Sequence, residues 1–415
     1  MQTEDRIGSI DVLRGLALLG IVIVNAAYFG LPLGETLAGA SPSEPIWDRI
    51  TSLLVSVFLE FKFISIFSLL FGFGLAMQRS RRIQAGRGFA VFGVRRMVIL
   101  AIFGAIHALG LWFGDVLFVY SIVGLVLIPM LMLDAGNRLV LALLAIGWAA
   151  LSLTGFGFLG LLAGDMPDPD SVDPGLRGFD AMVAANFNPA HPAWTVGEVA
   201  AFQDGPFLDA MSYRGVSWGT SIIMSAISFG WQVLGMALIG SWMHDRGFFG
   251  PDGARLRRRL ATTVLPIGVA LSMMLGAAHW FEGRNSILSL AMTPVQTASA
   301  LLMSVGIVSL VSLLVDSGRM PGASLFAQVG RMSLTAYLLE SVIFVSLMAH
   351  WGLGWFDQVS RPGLVGLAFL VYLCVALFSI LWSRLAPMGP MEWIWRQGSY
   401  LGSGSGSRSA QSLKA

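Results

Sequence analysis

The sequence predicts an all-α, polytopic membrane protein of about ten transmembrane helices with both termini on the cytoplasmic side. Three observations predict it. Of 415 residues, 55% are hydrophobic and only 12% charged, whereas soluble domains carry roughly 25% charged residues. The apolar residues run in stretches of about 20 or more, the length that crosses a bilayer's hydrocarbon core. The arginines between these stretches concentrate in alternate loops. In water such a chain would expose large apolar surfaces, so the lipid bilayer is its expected partner. The net charge of +2 gives no reason to expect nucleic acid.

The spans fall at about 10–30, 50–77, 92–112, 116–133, 138–163, 219–243, 260–281, 287–315, 333–351 and 362–386. The first is too long for the apolar part of a signal peptide, and Asp11, Arg14 and Asn25 interrupt it, so it reads as a retained span. Orientation follows from basic residues in short loops. Arg79, Arg81, Arg82, Arg87, Arg95 and Arg96 lie between spans two and three, and Arg246, Arg255, Arg257, Arg258 and Arg259 between six and seven. Arg319 and Arg331 lie between eight and nine. With ten spans these loops share one side, which the charge rule makes cytoplasmic. The opposite loops are poor in base, with Arg49 in the first and Arg284 before span eight. Residues 1–401 read as one membrane domain, 402–415 as a flexible glycine–serine tail, and 164–218 as one long acidic outer loop. That loop, which includes Asp165, is either a connector or a lid anchored by His191, Trp194 and Trp218. The single cysteine, Cys374, sits in an apolar run and reads as a buried structural thiol.

Polar residues inside spans are costly and face the protein interior. At about 100° per residue, Arg14 and Asn25 differ by roughly 20° around the first helix and share a face, with Asp11 near it. Asp11 either caps that helix and pairs with Arg14, or leaves Arg14 to receive an anionic group from the cytoplasm. Glu60 and Lys62 lie about 200° apart on span two and cannot pair within one helix. Each needs a partner on another helix, or contacts substrate or a proton. Gly72 and Gly74 permit close helix contact or a bend. His107 lies near the outer end of span three, and Asp115 follows Gly114 in the tight turn to span four. Such an imidazole, oriented by a carboxylate, is either a packing residue or a general base. His279 lies near the outer edge of span seven, with Glu282, Arg284 and Asn285 beyond it. Ser333, Tyr337 and Ser341 recur every four residues beside Glu340. That polar stripe is buried against other helices or lines the same cavity as Glu60. No nucleotide-binding or zinc-protease motif appears, and the five histidines are dispersed. No metal site is expected.

Five stretches carry a family resemblance: RIGSIDVLRGLALLGIVIVN at 6–25, KFISIFSLLFGFG at 62–74, RRMVILAIFGAIHALGLWFGDVLFVYSIVGL at 95–125, VGRMSLTAYLLES at 329–341 and GPMEWIWR at 389–396. With them the chain resembles the YeiB-like family of bacterial inner-membrane proteins, a domain of unknown function. That family is in turn similar to a superfamily of transmembrane acyltransferases, which includes heparan-glucosaminide N-acetyltransferase. The shared feature is the D-x-x-R-G opening of span one, here Asp11, Arg14 and Gly15, with Asn25 following. The resemblance implies a location in the bacterial cytoplasmic membrane and a donor-side role for Arg14. The acetyltransferase relatives carry an essential histidine around the outer end of the first spans. Loop 31–49 has none here, so His107 would have to supply it from another helix.

Two function classes follow. In the first, acyl-CoA is the donor, held near Arg14 and the 79–96 arginines, and His107, oriented by Asp115, activates a hydroxyl of an envelope acceptor. This expects an accessible His107 and a continuous path joining Arg14, Glu60 and His107. In the second, the protein is a permease, with Glu60, Lys62 and Glu340 lining a small-molecule pathway. GPMEWIWR, after the last span, is expected as an interfacial segment anchored by Trp393 and Trp395, with Arg396 facing lipid phosphate.

Overall fold

The computed structural model describes residues 8–161, 167–284 and 286–400. The expected properties of Asp165, Asn285 and the tail 402–415 therefore lie outside the described residues. The fold is a helical bundle, and its elements are α1 (Gly8–Gly30), α2 (Leu33–Ala38), α3 (Ile46–Phe58), α4 (Lys62–Gln84), α5 (Ala90–Gly110), α6 (Leu117–Met130) and α7 (Ala135–Leu161). They continue as α8 (Gly178–Ala184), α9 (Pro192–Gln203), α10 (Phe207–Met224), α11 (Gly230–Asp245), α12 (Ala254–Glu282), α13 (Ile287–Ala291) and α14 (Thr293–Asp316). The last are α15 (Ala323–Arg331), α16 (Ser333–Met348), α17 (Arg361–Trp382) and α18 (Pro390–Tyr400).

Among the described residues, eight helices are long and apolar enough to cross a membrane, and α15 with α16, bent by 89°, makes a ninth if the pair is one span. The remaining expected span, 116–133, is the 14-residue α6. At 1.5 Å per residue it is about 21 Å long, short of the roughly 30 Å hydrocarbon core. It packs against α4, α5 and α11. The described chain begins and ends at the same end of the bundle: Gly330 meets the backbone of Asp11, and Trp395 Nε1 donates to Arg96 O at 2.9 Å. Arg138–Asp245 and Arg257–Asp316 ion pairs tie helix ends at this arginine-rich end.

α1 is central and contacts α4, α14, α15, α16 and α17. Glycines set the closest approaches. A Cβ on Gly72 would collide with the carbonyl of Ala237, and one on Gly240 with that of Leu69. α4 and α11 therefore pack backbone to backbone, as small residues permit in membranes. Gly72→Val should force them apart at a cost of about 1–3 kcal/mol or more. A thermal unfolding midpoint in detergent equal to the parent's would contradict this.

Two expected spans differ in form. Span two is a 39-residue segment broken between α3 and α4, at Glu60 and Phe61. Phe61 has a φ of 62°, a left-handed conformation that side chains resist. A break inside a membrane is tolerated when the freed backbone groups find partners. Here Ser56 O accepts from Lys62 Nζ at 2.7 Å, and Val57 O accepts from Ser272 Oγ at 2.7 Å. Span six starts a dozen residues early, at Phe207, and runs through a π-helical turn at Ser225–Phe229 to Asp245. At about 58 Å it projects well beyond the bilayer.

That projection supports the outer loop. α8, α9 and the start of α10 share a small core of Met182, Ala193, Trp194 and Tyr213. Trp194 is the packing anchor expected, His191 accepts from Ala193 N to cap α9, and Trp218 packs edge-on against Phe118 at 5.2 Å. The cap is fastened to the bundle. Glu198 Oε2 accepts from Leu33 N at 3.0 Å and from Trp194 Nε1 at 3.1 Å, Arg214 Nε donates to Leu109 O at 3.1 Å, and Gln203 Nε2 donates to Phe356 O at 2.6 Å.

Burial first, then the charges of Glu35 and Asp357, push the Glu198 carboxyl up to about 8, against the two hydrogen bonds it accepts. A carboxyl whose folded value is raised favours folding while neutral. Its contribution is full below the unfolded value near 4.5 and is lost as pH rises through about 8. Hydrogen exchange across residues 178–203 is therefore expected to accelerate between those limits. Glu198→Gln, which keeps an acceptor oxygen, should flatten that dependence, and an unchanged profile in the variant would remove Glu198 as its cause.

Two expectations are corrected. Cys374 is not buried; its side chain lies on the outer surface of α17. In lipid the outside of a span is as apolar as the inside, so an apolar run does not say which way a residue points. The GPMEWIWR segment forms α18, but Trp395 and Glu392 face the protein. Arg96 lies over the Trp395 ring at 3.8 Å, while Trp393 is exposed. Glu392 accepts from Leu334 N at 2.7 Å and Thr335 N at 3.2 Å, capping α16 where the chain turns sharply.

Candidate functional site

Three polar groups stand inside the bundle. The first is at the turn from α5 to α6. His107 lies in the last turn of α5, and its carbonyl accepts from Leu111 N and Trp112 N as the helix ends. Asp115 follows in the tight connection. One carboxylate oxygen accepts from Phe118 N at 2.7 Å, capping α6, and the other meets His107 Nδ1 at 2.8 Å. The residue pair singled out from the sequence is thus a real contact. Gly104 makes room for it: a Cβ there would come within 2.6 Å of Asp115 Oδ1 and 2.5 Å of Phe118 N.

The Asp115 carboxylate can only accept, so Nδ1 is the donor of this bond; in the neutral imidazole that tautomer leaves the lone pair on Nε2. Nε2 is buried with no hydrogen-bond partner among the described residues. Tyr337 and Trp112 surround the imidazole, with ring centres 5.1 and 6.3 Å away. The side chains of the dyad are 1% and 0% exposed. The expectation of an accessible His107 is therefore not met in this closed arrangement.

The second group adjoins the first through Tyr337 of α16. Glu340 is buried, its Oε1 has no hydrogen-bond partner, and it lies within electrostatic range of Tyr337 and Tyr372. Tyr372 Oη donates to Gly15 O at 2.9 Å, beside Arg14. Arg14 Nη1 stands 3.8 Å from Asp11 Oδ1, three residues earlier on the same helix, and Asp11 lies within the first turn of α1. Asn25 is partly buried about 16 Å farther along α1.

The third group is at the break in span two. Arg284 grips Glu60 with both nitrogens, at 3.0 and 2.7 Å. Lys62, fully buried, is spent on Ser56 O. Glu60 and Lys62 thus bond to different groups, although the helix on which their opposite faces were expected is broken between them. Tyr28, Glu60, Arg284 and Arg361 line one cavity of about 50 Å³, and His279 and Arg284 line another of about 30 Å³. Glu340, His107 and Arg14 line neither. The expected continuous path joining Arg14, Glu60 and His107 is therefore absent from these cavities, as is the expected sharing of one cavity by Glu60 and Glu340. Among the described residues no three His, Cys, Asp or Glu side chains converge as metal ligands.

Sequence reasoning passed over Arg284 as the partner of Glu60, and Glu198 and Glu392 as fasteners. Arg284 carried a signal, since it is one of few bases on the base-poor side. The two glutamates carried none, because both act across more than 50 residues of chain.

Comparison with known proteins agrees with this picture. Residues 243–402 match a family described as a protein of unknown function, DUF418. The uncharacterized protein YeiB of Escherichia coli (strain K12) is 31% identical over 404 residues, covering 94% of this chain and 95% of the relative. The uncharacterized protein YxaH of Bacillus subtilis (strain 168) is 28% identical over 411 residues, covering 96% and 95%. With a relative this similar along nearly its whole length, the chain belongs to the YeiB-like family of multi-helix bacterial membrane proteins.

Proposed function

We propose that this protein is a transmembrane acyltransferase of the bacterial cytoplasmic membrane, its basic end in the cytoplasm and its capped end outside. The observation that carries the reading is the buried His107–Asp115 pair with an unpartnered Nε2. In the proposed step, Nε2 takes the proton of an acceptor hydroxyl while the oxygen attacks the donor's thioester carbonyl. The carbon–sulfur bond breaks, and the leaving thiolate recovers the proton, giving an ester and a free thiol. Asp115 holds the tautomer and stabilises the imidazolium. Arg14 and the neighbouring arginines would receive the phosphates of an acyl-CoA donor. Tyr337 and Tyr372, each within electrostatic range of Glu340, are polar groups that the proposed reaction could use between α1 and the dyad. Because the dyad is sealed, the step requires Tyr337 and Trp112 to yield when acceptor and acyl group enter.

The test is transfer of label from radioactive acetyl-CoA, supplied on the cytoplasmic face of inverted membrane vesicles, into envelope material. Label that depends on this protein is expected. Solute flux into proteoliposomes that depends on Glu60, with no acylated product, would instead establish the permease reading.

A further inference from the structure

Two cavities on the outer half of the bundle meet at one arginine. Their linings differ in kind. One has an apolar wall of Ile23, Val24, Ala27, Val55, Leu364 and Val365 and is also lined by Glu60, Arg284 and Arg361. The other is lined by Arg49, Arg284, His279, Ser52 and Ser56 beside Leu53 and Trp280, with no carboxylate among the described residues that line it. Arg284 and Ser52 belong to both.

The charge balance there is uneven. Glu60 is the one carboxylate within bonding distance of Arg284 among the described residues. Lys62 adds a second, fully buried cation that donates to the neutral carbonyl of Ser56. Arg49 adds a third at the cavity wall, lying 4.3 Å over the Trp280 ring rather than against an acid. His279 Nδ1 is buried and has no hydrogen-bond partner. Excess positive charge out of water is expensive unless something negative compensates it. Arg49 and Arg284 are also the bases that the charge rule leaves unexplained in their outer loops, and both come to this cavity. Gly39, at a φ of 74°, lets the first outer loop lie against the Arg284 side chain, which holds that guanidinium in place.

We propose that the adjoining cavities form an outward-facing site for an anionic group, phosphate or carboxylate, with the apolar cavity taking the hydrocarbon attached to it. Arg49, Arg284, His279 and the serine hydroxyls supply donors suited to such an oxyanion. The dyad lines neither cavity, so this site stands independently of the acyl-transfer reaction.

The probes are hexyl phosphate and hexanoate, titrated calorimetrically against the full chain in phosphatidylcholine nanodiscs. Saturable binding of at least one is expected, and Arg49→Gln, a partly exposed position, should weaken it at least tenfold. His279→Gln, chosen because it leaves the Glu60–Arg284 pair intact, should weaken it as well. Hexanol binding as tightly as the anions, unchanged affinity in both variants, or no saturable binding of either anion would overturn the proposal. Inorganic phosphate binding as tightly as hexyl phosphate would overturn the apolar half and leave a site for a free anion.

Discussion

His107→Ala is expected to lower acyl transfer by about 10²–10⁴-fold, the usual contribution of a positioned general base, while the protein still inserts and folds. The argument rests on the contrast between the two imidazole nitrogens. Nδ1 is bound to Asp115 at 2.8 Å, and Nε2 has no hydrogen-bond partner among the described residues. A histidine kept only for packing would be expected to use both nitrogens, since a buried unpaired polar atom costs about 1–3 kcal/mol. Two companions separate chemistry from structure. Asp115→Asn can reverse the tautomer and block Nε2 with a proton, so it should lose transfer as well. Gly104→Ala touches neither reactant, yet its Cβ would displace Asp115, and it should lower the maximal rate more than it raises the apparent donor KM. Transfer retained in His107→Ala would remove this residue from the mechanism and, with it, the main support for the reaction.

Arg284→Gln is expected to be the most destabilising single polar change in the bundle, at about 3 kcal/mol. Removing one partner of a buried ion pair costs about 3–5 kcal/mol because the other charge is left uncompensated. The side chains of Arg284 and Glu60 are 19% and 12% exposed, which places the cost at the lower end. Glu60→Gln should cost less, since Arg284 is then left near the outer surface. The double variant should recover most of the loss, because neither member of the Glu60–Arg284 pair is then left charged and alone. Unfolding midpoints in detergent for the four proteins complete the cycle. If Glu60→Gln abolishes a transport activity while the midpoint stays where it was, the carboxylate serves a ligand and not the fold.

The His107–Asp115 pair was legible because both residues lie on one short connection, eight residues apart, where chain geometry leaves them little choice. The ion pair at Glu60 was half legible. Helical angles showed that Glu60 and Lys62 must look elsewhere, but the partner lies 224 residues away in sequence, and no local rule reaches that far. The break at Phe61 escaped notice for a related reason. The residues around it are apolar and continue the span pattern, and the compensating hydroxyl comes from Ser272 on another helix.

The sequence by itself determined the class of this protein, most of its spans, the common side of its ends and its family. Hydrophobic length, alternating arginines and short motifs are local properties, and the bilayer acts on them locally. Helix packing was needed to fix which buried charges meet, that Cys374 faces away from the bundle, that residues 178–214 form a fastened cap, and that Arg49 and Arg284 share one cavity. Those outcomes depend on helix rotation and on contacts between distant segments. In lipid the inner and outer faces of a span are both apolar, so the pattern that announces a helix does not say which way it turns.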